Sequence, residues 1–572
     1  MLLSLALASA LAAAQTPRPA ATLDDPLLRS SPSGTGLVCA ADGLLGVAAW
    51  LDDRSTSGKE DLYAAVTLDG GLSWQPETAL TQGSALGIDV DGPRAAAAGG
   101  VLHLIWDDDR NGSSDTLCYA RSTDGGQSWQ STVLYDGSTS SRLYAEADTV
   151  VVLFTARPNH SSRDELWSLW SLDGGLSWAP PLAVDPANQG SQDVDGYAAD
   201  LEDLVLHLAF EDDRNGQDDL FYASTTAGQP WSPPLRLDQD PTGLGEISTS
   251  TTEDRIHVAA DGWSVHVLWE EEGRSGPLRR LYYRRSLDLG LSWEPESALG
   301  TTDPASVAME SSALDAGNGQ VLVAWVDDRE ADRPVRATVS PDGGATFPVE
   351  TAVGVPGGSE ADSLRALVSG SRLILAWEED GPSAASLDEW SAFAWSADAG
   401  LAWTDPVFLD TFAGDEDVDQ PATAWAWNGE AFLGVWQTDG GSGGSSAIRS
   451  SGLRFPWAEA EVGTGVARLG LGGAEPGLLP ARGRWACSTA AGQTAHPELP
   501  GAVLELGPSL LLDRSLRRPD LFQAPLQADG TAWSDWLEIP PPLAGAWVRV
   551  QAWVLTGGTA GQAGEPLDLV LP

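Results

Sequence analysis

The residues best equipped for chemistry in this chain are carboxylates in pairs and triplets closed by an arginine: Asp52, Asp53 and Arg54; Asp107 to Arg110; Asp212, Asp213 and Arg214; Asp327, Asp328 and Arg329. Two carboxyls flanking a glycosidic bond can hydrolyse it, one as acid and the other as nucleophile or base, if their separation is defined and their pKa values are pushed apart. With 82 Asp and Glu in the chain, two acids in one cleft are nearly guaranteed, so pairing alone selects no reaction. Neighbouring carboxylates also gather oxygen ligands round a hard cation, and the densest run is Asp415-Glu416-Asp417-Val418-Asp419. Gln420 stands where an EF-hand needs glycine and no closing Glu follows in place, so a solvated acidic loop is favoured over a calcium site at Asp415, Asp417 and Asp419. No cofactor is required by the sequence; calcium is the one cation worth weighing.

The elements that carry these acids are repeats. An octapeptide recurs as TLDGGLSW, STDGGQSW, SLDGGLSW, SLDLGLSW, SPDGGATF and SADAGLAW, with a degenerate copy STTAGQPW ending at Trp231. Its acid, glycine and aromatic are Asp69, Gly71 and Trp74; Asp124, Gly126 and Trp129; Asp173, Gly175 and Trp178; Asp288, Gly290 and Trp293; Asp342, Gly344 and Phe347; Asp398, Gly400 and Trp403. Ahead of most octapeptides runs an apolar strand ending in an aromatic and acids, as in LIWDDDR and LAFEDDR, with weaker copies near Phe154 and Trp436. A second apolar run then leads into the octapeptide. Short runs broken by Gly, Asn and Asp, with no sustained helical period, predict a meander of about four strands per repeat. A spacing of about 50 to 60 residues is that of a propeller blade.

The octapeptide is similar to the Asp-box, or bacterial neuraminidase repeat, of sialidase-like β-propellers, and the copies span about residues 36 to 456. The resemblance implies an all-β, Asp-box propeller with the boxes on the turn between third and fourth strands, away from the active face, so that the box aspartates are structural. An Asp in a tight turn accepts backbone N–H bonds and Gly supplies a positive φ. Eight blades are expected, with seven as the alternative. The eighth repeat, near Pro421 to Phe455, lacks a box, and the segment Ala21 to Leu28 resembles the outer-strand tails, so it is expected to close the ring. The turns between second and third strands then crown the opposite face with Asp53, Arg54, Asp109, Arg110, Asp213, Arg214, Asp328 and Arg329. That crown is a candidate surface for a glycan or protein ligand, although its repetition favours Asp–Arg pairing that holds neighbouring turns together.

Sialidases of the resembling family hold the substrate carboxylate with three arginines and use a Tyr–Glu nucleophile pair, the first arginine sitting in a Phe/Tyr-Arg-Ile-Pro motif that this sequence lacks. Tyr63, Tyr119, Tyr222 and Tyr282 are read at a common strand position, which leaves Tyr135, Tyr144 and Tyr197 as the unusual ones. Tyr144 with Glu146, in a deviant third repeat, is thin support for a nucleophile pair, and no catalytic residue is assigned. A non-catalytic binding or scaffold module is therefore favoured, with an exo-acting glycoside hydrolase as the alternative.

Lys and Arg total 32 for a net charge of −50, which rules against nucleic acid, since duplex binding rests on neutralising phosphates. The 25 Trp and regular apolar runs argue for a folded chain. Residues 1–14 read as a signal peptide, 15–457 as the propeller and 458–572 as a C-terminal β-sandwich-like accessory domain; a monomer of bacterial type, secreted or at the periplasm or cell surface, is expected. No later run reaches the length of a membrane span. Cys39, Cys118 and Cys487 form no framework, and His103 and His207, at one repeat position, are expected to be structural.

Overall fold

The structure, a computed structural model, describes residues 21–23, most of 36–454 apart from loop segments of which the longest are 301–308, 381–388, 409–417 and 439–446, and then 502–505, 547–556, 559–563 and 567–570. The expected signal peptide lies outside the described residues. Two compact units emerge, Met1–Arg454 and Phe455–Pro572. In the second, the strands Ala502–Glu505, Thr559–Ala563 and Leu567–Val570 all pair antiparallel to Trp547–Thr556.

The first unit is a β-propeller. Four-stranded antiparallel meanders run over residues 38–79, 90–138, 138–183, 197–236, 256–299, 309–353, 361–408 and 418–454, numbered 1 to 8 below. Meanders 2 and 3 share one long strand, Gln130–Glu146, whose first half is the outer strand of one and whose second half is the inner strand of the other. Each meander contacts the next, and the last contacts the first. Meander 8 is completed by the strand Ala21–Thr22, in register with Ser450 and Arg449, and Leu23 donates its N–H to Ile448 O at 2.9 Å. The expected closing role of the N-terminal segment is met at these residues.

Second strands such as Val101–Asp108 and Val205–Asp212 are buried on both faces, because each sheet is sandwiched between two others. That explains why they read as continuous apolar runs and not as alternating ones. In three of these runs the closing tryptophan is bonded to the acid two residues on. The indole N–H of Trp106, Trp269 and Trp377 donates to Asp108, Glu271 and Glu379 at 3.4, 3.1 and 3.0 Å.

The box locks its own turn. Asp173 Oδ1 accepts Ser177 N at 2.9 Å and Ser171 Oγ at 2.8 Å, its Oδ2 accepts Ser177 Oγ at 2.6 Å, and Gly175 N donates to Ser171 Oγ at 2.8 Å. Bonds from Ser177 hold the Asp173 carboxyl down at about 2. Asp69, Asp124, Asp288 and Asp342 repeat the pattern, and Asp398 keeps its bond from Ala402 N at 2.9 Å.

The box glycine also serves the neighbouring sheet. A Cβ on Gly175 would lie 1.7 Å from Tyr119 Oη of the preceding meander, and one on Gly290 or Gly344 would lie 2.1 or 1.8 Å from Tyr222 or Tyr283. On Gly71 it would strike Leu433 of meander 8 at 2.7 Å, so the same fit joins last to first. The three tyrosines are held from behind by histidines, with His103, His207 and His266 Nδ1 each 2.7 Å from the phenolic oxygen, and burial lowers the imidazoles to about 4, 4 and 3. Neutral imidazole and phenol thus form an inter-sheet latch, a structural use of His103 and His207. The pairing corrects one sequence reading. Tyr119, Tyr222 and Tyr283 share a position, whereas Tyr63 and Tyr282 pair opposite Trp50 and Trp269, one residue out of phase and on the other face of the sheet.

Candidate functional site

The turns between second and third strands and the connections between meanders lie on the face opposite the boxes. Here the arginines of the acid-acid-arginine turns are engaged with the first acid of their own turn. Arg54 Nη2 reaches Asp52 Oδ2 at 2.7 Å, its Nη1 bonds Glu77, and its guanidinium lies 4.2 Å from the Tyr63 ring centre. Arg110 Nε donates to Asp108 Oδ1 at 2.6 Å. Arg214 bridges Asp212 and Asp185, the latter at 2.5 Å, beside the Phe221 ring. Asp52, Asp108 and Asp212 are almost wholly buried, so these charges compensate one another inside the turn.

In two of these turns the second acid, Asp109 or Asp213, staples neighbouring meanders. Asp109 accepts Lys59 Nζ at 3.0 Å and Asp89 N at 2.7 Å, linking meanders 1 and 2. Asp213 accepts Arg163 Nη1 at 3.1 Å, linking meanders 3 and 4. Asp53 keeps Oδ1 buried with no hydrogen-bond partner among the described residues. The connections contribute in the same way, Asp89 capping Glu60 N at 2.8 Å and Asp193 capping Asp164 N at 2.9 Å. Asp328, Arg329, Asp415 and Asp417 lie outside the described residues; Asp419 falls in the strand Val418–Trp427, and its side chain is likewise outside them. Among the described residues no cluster of three or more His, Cys, Asp or Glu side chains is arranged to hold a metal ion.

The crown is interrupted at meander 3, where Phe154-Thr155-Ala156-Arg157 replaces the acidic turn. There a cleft of about 160 Å³ opens, lined by Thr139, Ser140, Thr155, Arg157, Asp164, Val194, Asp195 and Tyr197. Arg157 meets Asp164 through Nε at 3.1 Å and Nη2 at 2.7 Å, with the guanidinium half in solvent. Thr139 Oγ1 bonds Asp164 Oδ1 at 2.7 Å and Thr155 Oγ1 at 2.8 Å. Burial raises the Asp195 carboxyl, reinforced by Asp193, Asp164 and Asp213. Tyr197 is 5% exposed, its hydroxyl 3.5 Å from Ser140 O and Leu153 O, with Arg142 5.4 Å from its ring centre. Burial pushes its phenol up, so it stays protonated at neutral pH.

The sequence pointed at Tyr197 and at the deviant third repeat, but Arg157 and Asp164 went unread because they match no landmark; the missing acids of that repeat were themselves the signal. Tyr144 and Glu146 do not form a nucleophile pair on this face. Glu146 Oε2 caps Leu204 N at 3.2 Å in the turn between the first two strands of meander 4, on the box side.

Beneath the face, the residue after the strand-two aromatic points into the seam towards the next meander. At this position Asp107 is bonded by Ser138 and by Ser141 Oγ at 3.3 Å, and burial raises it to about 6. Glu270 is bonded by Ser312 Oγ at 2.8 Å, itself 3.1 Å from His257 Nε2. Glu211, between meanders 4 and 5, is fully buried with neither oxygen hydrogen-bonded among the described residues; Ile256 occupies the place of Ser141 and Ser312. Burial, then the charges of Asp218, Asp195, Asp212 and Asp213, raise it to about 9.

Fold and face together define a β-propeller whose loop side carries ion-paired turns and, at meander 3, a polar cleft. No known protein family and no curated protein matches the chain. Among solved structures it is similar to Hadza microbial sialidase Hz136 (15% identity, 54% of this chain and 66% of that one, TM-score 0.30). It is also similar to Penicillium chrysogenum alpha-L-arabinanase (11%, 77% and 99%, TM-score 0.34) and to the β-propeller domain of the Trilobed protease from Pyrococcus furiosus (8%, 66% and 99%, TM-score 0.37). Similarity of this size says nothing of the chain's activity.

Proposed function

We propose that this chain is an exported, eight-bladed, Asp-box propeller that binds a glycan without cleaving it, through the cleft between meanders 3 and 4. The observation that carries the reading is the Arg157–Asp164 pair flanked by Thr139, Thr155 and Tyr197. It offers donors and acceptors side by side, as sugar hydroxyls require. Tyr197 is buried and protonated, with its hydroxyl turned to main-chain carbonyls, which suits a wall and not a nucleophile. The reading needs no cofactor. The test is a glycan array on the purified chain followed by calorimetry on the best ligand. Arg157→Ala is expected to weaken binding at least tenfold, since a hydrogen bond to a charged group contributes about 1.5–3 kcal/mol. No glycan retained, or full affinity in Arg157→Ala, overturns it.

A second reading, glycoside hydrolysis, is favoured by Asp107, whose carboxyl is raised to about 6, within the range of a general acid. Turnover of a fluorogenic glycoside panel by the wild-type chain, lost in Asp107→Asn, would establish it in place of the first.

A further inference from the structure

We propose that the outer edge of meander 2, residues 130–136, is a docking site for an extended segment of another protein, which adds to the sheet as a further strand. Outer strands elsewhere in the ring are short: Thr78–Ala79, Leu182–Ala183, Leu235–Arg236, Ser297–Leu299, Glu350–Val353, Val407–Phe408 and Ala21–Thr22. Each of the other six boxes is followed within three residues by proline, at Pro76, Pro180, Pro233, Pro295, Pro348 and Pro406. Proline and brevity are the devices that keep an edge strand from recruiting another chain.

Meander 2 has neither. Trp129 runs into Gln130-Ser131-Thr132-Val133-Leu134-Tyr135-Asp136, with no proline and a single charge at its far end, paired to Asp115–Ser122 on one side only among the described residues. Gln130 to Val133 are exposed, Val133 at 48%. In an antiparallel strand, alternate residues direct both N–H and C=O outward; a bulge at Leu134 interrupts the alternation, and the regular stretch Gln130 to Val133 presents its main-chain groups to solvent. A second observation lies beside it. A cleft of about 230 Å³, lined by Trp106, Arg110, Cys118, Ser131, Thr132 and Val133, runs along the cross-strand row Trp106, Cys118, Val133. The next residue in that row belongs to the incoming strand, and its side chain stands beside the cleft. Main-chain bonds for affinity and a side pocket for selectivity are the two parts of recognition by strand addition.

Charge selects the occupant. At a net charge of −50 a second copy is repelled, whereas a basic segment is drawn in; β-branched residues in it suit an added strand. The probe is a fluorescein-labelled peptide, Lys-Thr-Val-Thr-Val-Thr-Lys, titrated against the full chain by anisotropy, with a version carrying proline at the central residue as control. The expected result is saturable binding, at least tenfold weaker for the proline peptide and for Val133→Lys or Thr132→Lys. Binding should be unchanged for Val349→Lys, an exposed valine beside the outer strand of meander 6. Amide exchange over 130–136 is expected to be fast in the free chain and slowed by the peptide. Circular dichroism and urea midpoints identify a variant that fails to fold, and the second lysine variant then carries the test. No binding, equal binding of the proline peptide, or amides already protected in the dilute free chain would overturn the proposal. So would a concentration-dependent dimer abolished by Val133→Lys, which would give the edge to a second copy.

Discussion

Replacing Glu211 by Gln should stabilise the propeller at neutral pH and leave it unchanged in mild acid. The carboxyl is fully buried, has no hydrogen-bond partner among the described residues and faces Asp195, Asp212, Asp213 and Asp218, so the fold keeps it protonated up to about 9. In the unfolded chain a Glu loses its proton near pH 4.3. Between those values the folded state binds the extra proton, and each pH unit costs about 1.4 kcal/mol of stability. The penalty is absent below about pH 4, reaches on the order of 3 kcal/mol at pH 7, and levels off above about pH 9, where both states are ionised. Gln keeps the shape and has the same missing partners, so it cancels everything except the proton. The assay is urea unfolding followed by tryptophan fluorescence for both chains at pH 5, 7 and 8.5. A difference that widens with pH supports the reasoning; one that stays constant from pH 5 to 8.5 refutes it, because it would show that Glu211 is ionised or solvated in the fold.

Gly175→Ala forces a Cβ onto Tyr119 Oη at a φ of +81°, and should cost about 2–4 kcal/mol by overpacking and backbone strain, against about 1 kcal/mol for Gly174→Ala, whose Cβ meets nothing within 4 Å. Urea midpoints separate the two, and equal losses would deny the inter-sheet contact. Arg214→Ala leaves Asp212 and Asp185 buried without their cation and should cost about 3–5 kcal/mol. Lys59→Ala, at a partly solvent-exposed pair, should lower the midpoint far less than Arg214→Ala in the same measurement. For Asp173 the folded carboxyl is depressed by Ser177, so its contribution is present above about pH 4 and lost as pH falls towards about 2. Asp173→Ala should therefore lower stability at pH 7 more than at pH 3, and thermal midpoints at the two values test it.

The repeat was legible because a box needs Asp, Gly and an aromatic at fixed offsets to close one turn, and such local chemistry leaves a fixed string. The Asp–Arg crown was legible as pairing for the same reason, since Arg54, Arg110 and Arg214 each bond an acid two residues away. What the string hides is contact across a seam. Tyr119 beneath Gly175, or Ser312 against Glu270, are partners some 40 to 60 residues apart whose meeting depends on a strand register that one residue can invert. The misaligned tyrosines were this error in small. The cleft at Arg157 stayed hidden because it is built where the repeat fails, and a reading based on recurrence passes over such a place. Glu211 could have been marked from its row, in which Leu51, Asp107, Thr155, Glu211, Glu270, Val326, Glu378 and Gln437 occupy one strand position, but its missing partner is an Ile on another sheet.

The strand Ala21–Thr22 stands ahead of seven sheets in the chain and pairs with the eighth. Its partners Arg449 and Ser450 emerge only after seven sheets have been synthesised, so the nascent chain stays an open arc throughout. Closing so long a loop carries an entropic cost on the order of 5 kcal/mol, which the short clasp meets only when the flanking sheets are already packed. A chain cut short before residue 449 would therefore remain unclasped however well its earlier sheets had formed.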